Sequence, residues 1–269
     1  MVNSIRAEVY KLTRRSYSYI LLLCCAAFAL LVAGLMCYIK YSAAPDVELI
    51  NFPLAINMLS MGMPIGLYLV AVGGDAVFSE QYKYNTLKNE VSYGLTRVRV
   101  YLSRLVVTLL LMAVVFVVTI GVYALASLVM LGIPSDAGAM ASFGKNTAQA
   151  IQDAFRMLGF YVLASFPLWL GAMSLALALY FLIRSSNLAG LGFLAIMLAV
   201  PAIFDNLGKY VNPVFYRLYH LTLEYTMVLV TSAQNLDWPL IGRCWLIGLA
   251  WAVVSTAVGL FFFSRREIS

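Results

Sequence analysis

The chain has 269 residues, of which 63% are hydrophobic and 11% charged, and its mean hydropathy is +0.89. Soluble domains carry about 25% charged residues, so this composition excludes a water-soluble globule. At about 20 apolar residues per crossing, the length fits about six helical spans with modest loops and leaves no room for a separate globular domain. The formal charge is +6, from 18 Lys and Arg against 12 Asp and Glu. In so apolar a chain the placement of cations around a bilayer matters more than their sum, and nucleic acid is not implied. Four cysteines with no Cys-x-x-Cys pair argue against both a disulfide framework and a zinc site.

Taken in chain order, the first element is residues 1–16. Val2, Ile5, Val9 and Leu12 recur at helical spacing and predict an amphipathic helix. Arg6, Lys11, Arg14 and Arg15 suit anionic headgroups, so the helix is expected to lie on the membrane surface. A disordered basic tail is the plainer alternative. Residues 17–39 form the first apolar run, about 35 Å of helix at 1.5 Å per residue. That is too long for a signal-peptide core, so a retained span is expected. Further spans are expected at about 52–77, 101–131, 155–183, 188–204 and 241–264. The third exceeds what a bilayer needs. The fifth is the shortest and is expected to stop near Pro201.

An even number of spans puts both termini on one side, and Lys and Arg set which side. One side holds Arg6, Lys11, Arg14 and Arg15, then Lys83, Lys88, Arg97, Arg99 and Arg104, then Arg184, Arg265 and Arg266. The other holds Lys40, Lys145, Arg156, Lys209, Arg217 and Arg243. The twofold bias predicts cytoplasmic termini.

Two connections carry patterns of their own. In 79–103, Asn85 suits a helix N-cap, Tyr84, Leu87 and Val91 follow helical spacing, and Gly94 suits the left-handed residue that ends a helix. A short helix followed by a basic stretch is more than a connection needs and is expected to dock on something. In 205–243, Arg217, His220 and Glu224 are expected on one helical face, with Leu218, Leu221 and Tyr225 on another. Tyr210, Tyr216, Tyr219 and Trp238 favour an interface, so one or two short helices on the outer leaflet are predicted, punctuated by Pro213 and Pro239.

Small residues recur within the spans: Gly62 and Gly66 around Pro64, Gly171 with Ser174 and Ala178, and Ala189-Gly190 with Gly192. They allow close backbone approach, either to a second copy or within the chain.

Reaction chemistry is sparse. His220 is the one histidine, and no H-E-x-x-H is present, which argues against metal-based or histidine-paired catalysis. The stretch Gly138 to Asn146 loosely resembles a P-loop but has one residue too many and Asn in place of Ser or Thr. Asp75, Asp153, Arg156 and Asp205 fall near span ends rather than mid-membrane, which disfavours a proton- or sodium-driven carrier.

Together these features resemble the ABC-type exporter permeases, also called ABC type 2. Ile5-Arg6-Ala7-Glu8-Val9-Tyr10-Lys11-Leu12 is similar to the family's A-E-x-x-K-L opening. In the loop after the second span Glu80, Thr86, Leu87, Lys88 and Arg97 match the family pattern. Asn85 stands for its Gly, Leu95-Thr96 for Pro-x-Ser, and Arg104 for its Lys. The resemblance implies an all-α integral membrane protein of six spans, with an interfacial N-terminal helix, a coupling helix between spans two and three, and external interfacial helices before the last span. It further implies a single transmembrane domain in the bacterial cytoplasmic membrane, pairing as a homodimer or heterodimer among membrane lipids.

No catalytic residue, metal or directly bound cofactor is implied; ATP would act through a separate ATP-binding cassette subunit. Glu80, Tyr84, Thr86, Leu87, Lys88, Val91 and Arg97 are the implied coupling residues, and Gly62, Gly66 and Asp75 the implied pathway or dimer residues. In physical terms Leu87 and Val91 would bury in a groove while Lys83, Lys88, Arg97 and Arg99 met acidic rim residues. Export of an antimicrobial peptide, drug or lipid-like substrate is the implied activity. The competing readings are a non-transporting scaffold or sensor, a secondary transporter, and an integral-membrane enzyme.

Overall fold

A computed structural model describes residues 2–43, 50–83, 94–135, 144–183, 185–233 and 237–265. They form α1 (Val2–Arg14), α2 (Ser16–Ala43), α3 (Phe52–Lys83), α4 (Arg97–Leu131), α5 (Thr147–Leu182), α6 (Ser186–Tyr210), α7 (Val214–Tyr219), α8 (Leu223–Ser232) and α9 (Trp238–Arg265). No strand occurs among the described residues. The helices α2, α3, α4, α5, α6 and α9 are long and apolar enough to cross a membrane, and each contains one expected span. Each runs past the expected bounds at one end or both; α3 begins at the expected residue, α4 ends at it, and α5 stops one residue short of its expected C-terminal bound. Hydropathy marks the apolar stretch, whereas a helix, once nucleated, propagates through adjoining polar turns at one hydrogen bond per residue.

The helix at the fifth expected span is longer than the apolar stretch that marks it. It does not stop at Pro201 but continues to Tyr210, where the Val211 N–H bonds Leu207 O at 2.9 Å. A proline removes one internal hydrogen bond, which long apolar helices absorb when neighbours pack against them, and Pro201 is buried. Pro64 and Pro167 likewise lie inside α3 and α5.

Between α6 and α9 the chain forms two short helices, but Arg217, His220 and Glu224 do not share a face of one helix. Thr222, at φ −74° and ψ 149°, interrupts the chain and N-caps α8, its hydroxyl accepting from Tyr225 N at 3.3 Å. Pro213 opens α7, and Pro239 sits in the first turn of α9, where a missing N–H costs nothing.

The chain divides into two compact units. One comprises Ser16–Met63 and Ala113–Val162. Its core is built on small residues, with Ala29, Ala33, Ala55 and Ala126 packed around Tyr123 and Leu131. The Tyr123 hydroxyl donates to Ala55 O at 2.9 Å. Lys40 caps the C-terminus of α4 by donating to Leu131 O at 2.5 Å, and Gly132 (φ +69°) then turns the chain so that its carbonyl accepts from Phe52 N. Asn51 caps α3 through Leu54 N at 3.1 Å.

The other unit comprises Met1–Arg15, Pro64–Met112 and Leu163–Ser269. Here glycines and alanine bring α5 and α9 together: Gly171 lies against Gly248, and Gly259 against Ala178 and Tyr101. The small residues expected to favour close approach in the fourth span are thus used within the chain.

Candidate functional site

The second unit collects the C-terminal end of α3, the N-terminal end of α4, and α1. The buried face of α1 includes Leu12 and, unexpectedly for a surface helix, Glu8, which is only 6% exposed. The carboxylate is held from two sides. Lys11 donates to Glu8 Oε1 at 2.7 Å, and Arg104 Nη2 lies 3.6 Å from the same oxygen. Arg104 is fully buried, with its guanidinium 5.5 Å from the Phe78 ring centroid. The A-E-x-x-K opening and the cation at the start of the third span therefore form one ion cluster.

Beneath that cluster is a knot of rings. Phe78 of α3 packs edge-on against Phe181 at 4.6 Å, and Phe181 stacks on Tyr101 at 4.5 Å and contacts Phe263 at 4.6 Å. Four spanning helices meet through these side chains, each pair adding roughly 0.5–1.5 kcal/mol beyond its burial. Tyr180 completes the contact, its hydroxyl donating to Ala71 O at 3.1 Å. Gly74 permits this approach, since a Cβ there would lie 2.8 Å from the Tyr180 ring.

Further hydrogen bonds pin the ends of the helices that flank the 84–93 segment. Arg15, between α1 and α2, donates to Ala76 O at 3.0 Å near the end of α3. Asp75 accepts a hydrogen bond from the Ser186 hydroxyl at the start of α6, where a carboxylate also suits the helix dipole. Arg97 donates to Phe263 O at 2.9 Å and Ser264 O at 2.5 Å, capping the last turn of α9.

Of the residues implicated from sequence, Asp75 and Arg97 thus belong to this unit. Glu80 lies within α3. Tyr84, Thr86, Leu87, Lys88 and Val91 lie outside the described residues. Gly94, which follows them, has φ +86°, the left-handed conformation expected there. Gly66 faces Trp169 within the chain, its added Cβ lying 2.6 Å from Trp169 Nε1, whereas an added Cβ at Gly62 meets nothing within 4 Å. The two glycines therefore make different predictions. Gly66→Leu should lower the thermal midpoint of the solubilised protein, an overpacking cost of about 1–3 kcal/mol. Gly62→Leu should leave it unchanged. A Gly66→Leu protein that melts with the wild type would show that Trp169 does not confine this position.

The rings of Phe78, Tyr101, Tyr180, Phe181 and Phe263 were not singled out by sequence. Each lies near a span end, where an aromatic is expected as part of an interfacial belt. Glu8, by contrast, left a signal: Ile5, Glu8 and Leu12 share one helical stripe, so a carboxylate sits in the middle of the apolar face.

A family model described as ABC-2 family transporter protein matches residues 4–201. The chain belongs to the ABC-2 transporter family. The matched region runs from α1 into α6 and so holds both ends of the Glu8–Arg104 pair, four of the six apolar helices whole and part of a fifth. It stops before α7, α8 and α9. No curated protein matches the chain. As an ABC-2 family protein with six apolar helices, it is an integral membrane permease subunit of the ABC type.

Proposed function

We propose that this ABC-2 family chain is the membrane-spanning subunit of an ATP-driven exporter in the bacterial cytoplasmic membrane. It moves an amphipathic substrate, such as an antimicrobial peptide, a drug or a lipid-like molecule, out of the cytoplasm or the membrane. It works as one of two permease copies with a separate ATP-binding cassette subunit, and both its termini are cytoplasmic. The observation that carries this reading is the family match across 4–201. The Lys and Arg bias supports the orientation.

In this reading the ATP-binding subunit docks on the segment around Glu80 to Val91, with Leu87 and Val91 entering a groove. Arg97 acts through α9, whose last carbonyls it holds, and Asp75 acts through α6 by way of Ser186. The ion cluster and ring knot give the docked segment rigid neighbours, so that movement there is passed to α1, α6 and α9 rather than absorbed locally. Gly62 is the member of the glycine pair available to the pathway or the second copy, and Gly66 keeps α3 against Trp169.

The test is recovery of the partner with the detergent-solubilised chain, comparing wild type with Leu87→Asp. The wild type should recover an ATP-binding cassette subunit stoichiometrically. Leu87→Asp should insert normally but lose most of that subunit, because burying an unpaired carboxylate in a groove costs several kcal/mol. Absence of any ATPase with the wild type would favour the scaffold reading, and wild-type recovery by Leu87→Asp would remove the docking role.

A further inference from the structure

The outward face of α1 carries charge that the fold does not use. Asn3, Arg6, Ala7, Tyr10, Thr13 and Arg14 are all exposed, and their spacing places them on one side of the helix. The opposite side holds Glu8 and Leu12, which are buried, with Ile5 and Val9 half-buried beside them. The apolar stripe, which by its period alone would lie in the membrane surface, is thus largely covered by the protein itself. What α1 offers outward is polar, basic and aromatic.

The ionic groups divide in the same way. Glu8 is the one acidic residue of α1, and it is sequestered with Lys11 and Arg104. Arg15, just beyond the helix, donates to Ala76 O. Of the four cations expected at headgroups, Lys11 and Arg15 are therefore engaged by the fold. Arg6 and Arg14 remain, one turn either side of Tyr10, and neither forms a hydrogen bond or ion pair with any described residue. The Arg14 guanidinium lies 5.4 Å from the Tyr10 ring centroid, and Tyr10 is 62% exposed.

Two guanidiniums bracketing an exposed phenol, with no carboxylate on that face, complement a phosphodiester at a membrane surface. The guanidinium fork matches phosphate oxygens, and tyrosine favours the headgroup level of a bilayer. Chain continuity brings the bilayer close, because α1 ends at Arg14 and the first apolar helix starts at Ser16.

We propose that the Arg6–Tyr10–Arg14 face of α1 binds the headgroup of an anionic phospholipid, the two guanidiniums donating to its phosphate and Tyr10 packing at the headgroup level. Recognition is by charge on the polar face of α1, not by insertion of its apolar stripe. A choline headgroup, which neutralises its own phosphate, is bound less well. Binding needs neither ATP nor a partner subunit, so it stands or falls separately from the exporter reading.

The experiment titrates the full, delipidated chain in detergent with phosphatidylglycerol or with phosphatidylcholine, and reads the affinity of the first bound lipid by native mass spectrometry. Wild type should favour phosphatidylglycerol by about tenfold or more, since each arginine near an anionic headgroup contributes about fivefold. Raising the ionic strength should shrink that preference and leave phosphatidylcholine binding as it was. Arg6→Gln with Arg14→Gln should bring phosphatidylglycerol down to the phosphatidylcholine affinity. Both side chains are exposed, so the thermal midpoint should stay at the wild-type value. Arg6→Lys with Arg14→Lys, which keeps both charges, should retain most of the preference. A wild type that binds both lipids alike, or a Gln pair that keeps the wild-type preference, would overturn the proposal. In the second case, loss of a co-purifying protein from the Gln pair would assign this face to a protein instead.

Discussion

Arg104→Ala should be among the most damaging single changes outside the middle of the spans. The side chain is fully buried, and its removal leaves Glu8, itself 6% exposed, with Lys11 as its remaining cation in the cluster. Lys11 is 41% exposed, so its attraction is weakened by water and cannot replace the buried guanidinium. Breaking a buried pair from one side typically costs about 3–5 kcal/mol, because the desolvated charge stays behind. The loss should fall first on α1, which the cluster ties to α4. Trypsin should then cleave at Lys11 and Arg14 in the purified protein faster than in wild type, and the thermal midpoint should drop.

The double variant Glu8→Gln with Arg104→Met separates stability from coupling. Replacing both charges with groups of similar size is often neutral or stabilising, so most of the lost stability should return. Under the exporter reading, ATP-driven transport should not return with it, since the rigid ionic link from α1 to α4 is gone. Unaltered trypsin cleavage and melting for Arg104→Ala would show that the pair does not hold α1.

The sequence made parts of this arrangement legible for physical reasons. The six apolar helices were evident because a membrane leaves the backbone no alternative to internal hydrogen bonding, so hydropathy alone reveals them. α1 was evident from its period. The partner of Glu8 was not, because Arg104 lies in another helix and no local pattern links them, although the cation itself stood out at the start of the third span. That Arg97, read as a docking residue, caps α9 was not legible, since a helix C-terminus presents open carbonyls wherever the chain ends up, and sequence cannot say which cation will reach them. The two helices between α6 and α9 were legible as short elements, but one threonine decided their register. Thr222 competes for backbone N–H groups and breaks the apparent face of Arg217, His220 and Glu224.

The small residues of the fourth span pose the sharpest test of packing. Gly171 and Gly248 face each other where α5 crosses α9. A Cβ on Gly171 would lie 2.8 Å from Gly248 O, and one on Gly248 would lie against the Pro167 carbonyl and 2.9 Å from Leu168 N. On both sides the obstacle is backbone, which cannot rotate away as a side chain can. Close backbone approach is also what replaces hydrophobic driving force between helices in lipid. Gly248→Ala adds one methyl and should nonetheless destabilise by about 3 kcal/mol, the upper end of overpacking costs, with reduced yield in detergent. Gly242→Ala, on the same helix, is the matched control. Nothing lies within 4 Å of its added Cβ, and alanine favours a helix over glycine by up to about 1 kcal/mol. It should therefore melt at or above the wild-type midpoint. Two variants with the same shift would mean that α5 and α9 do not meet through Gly171 and Gly248.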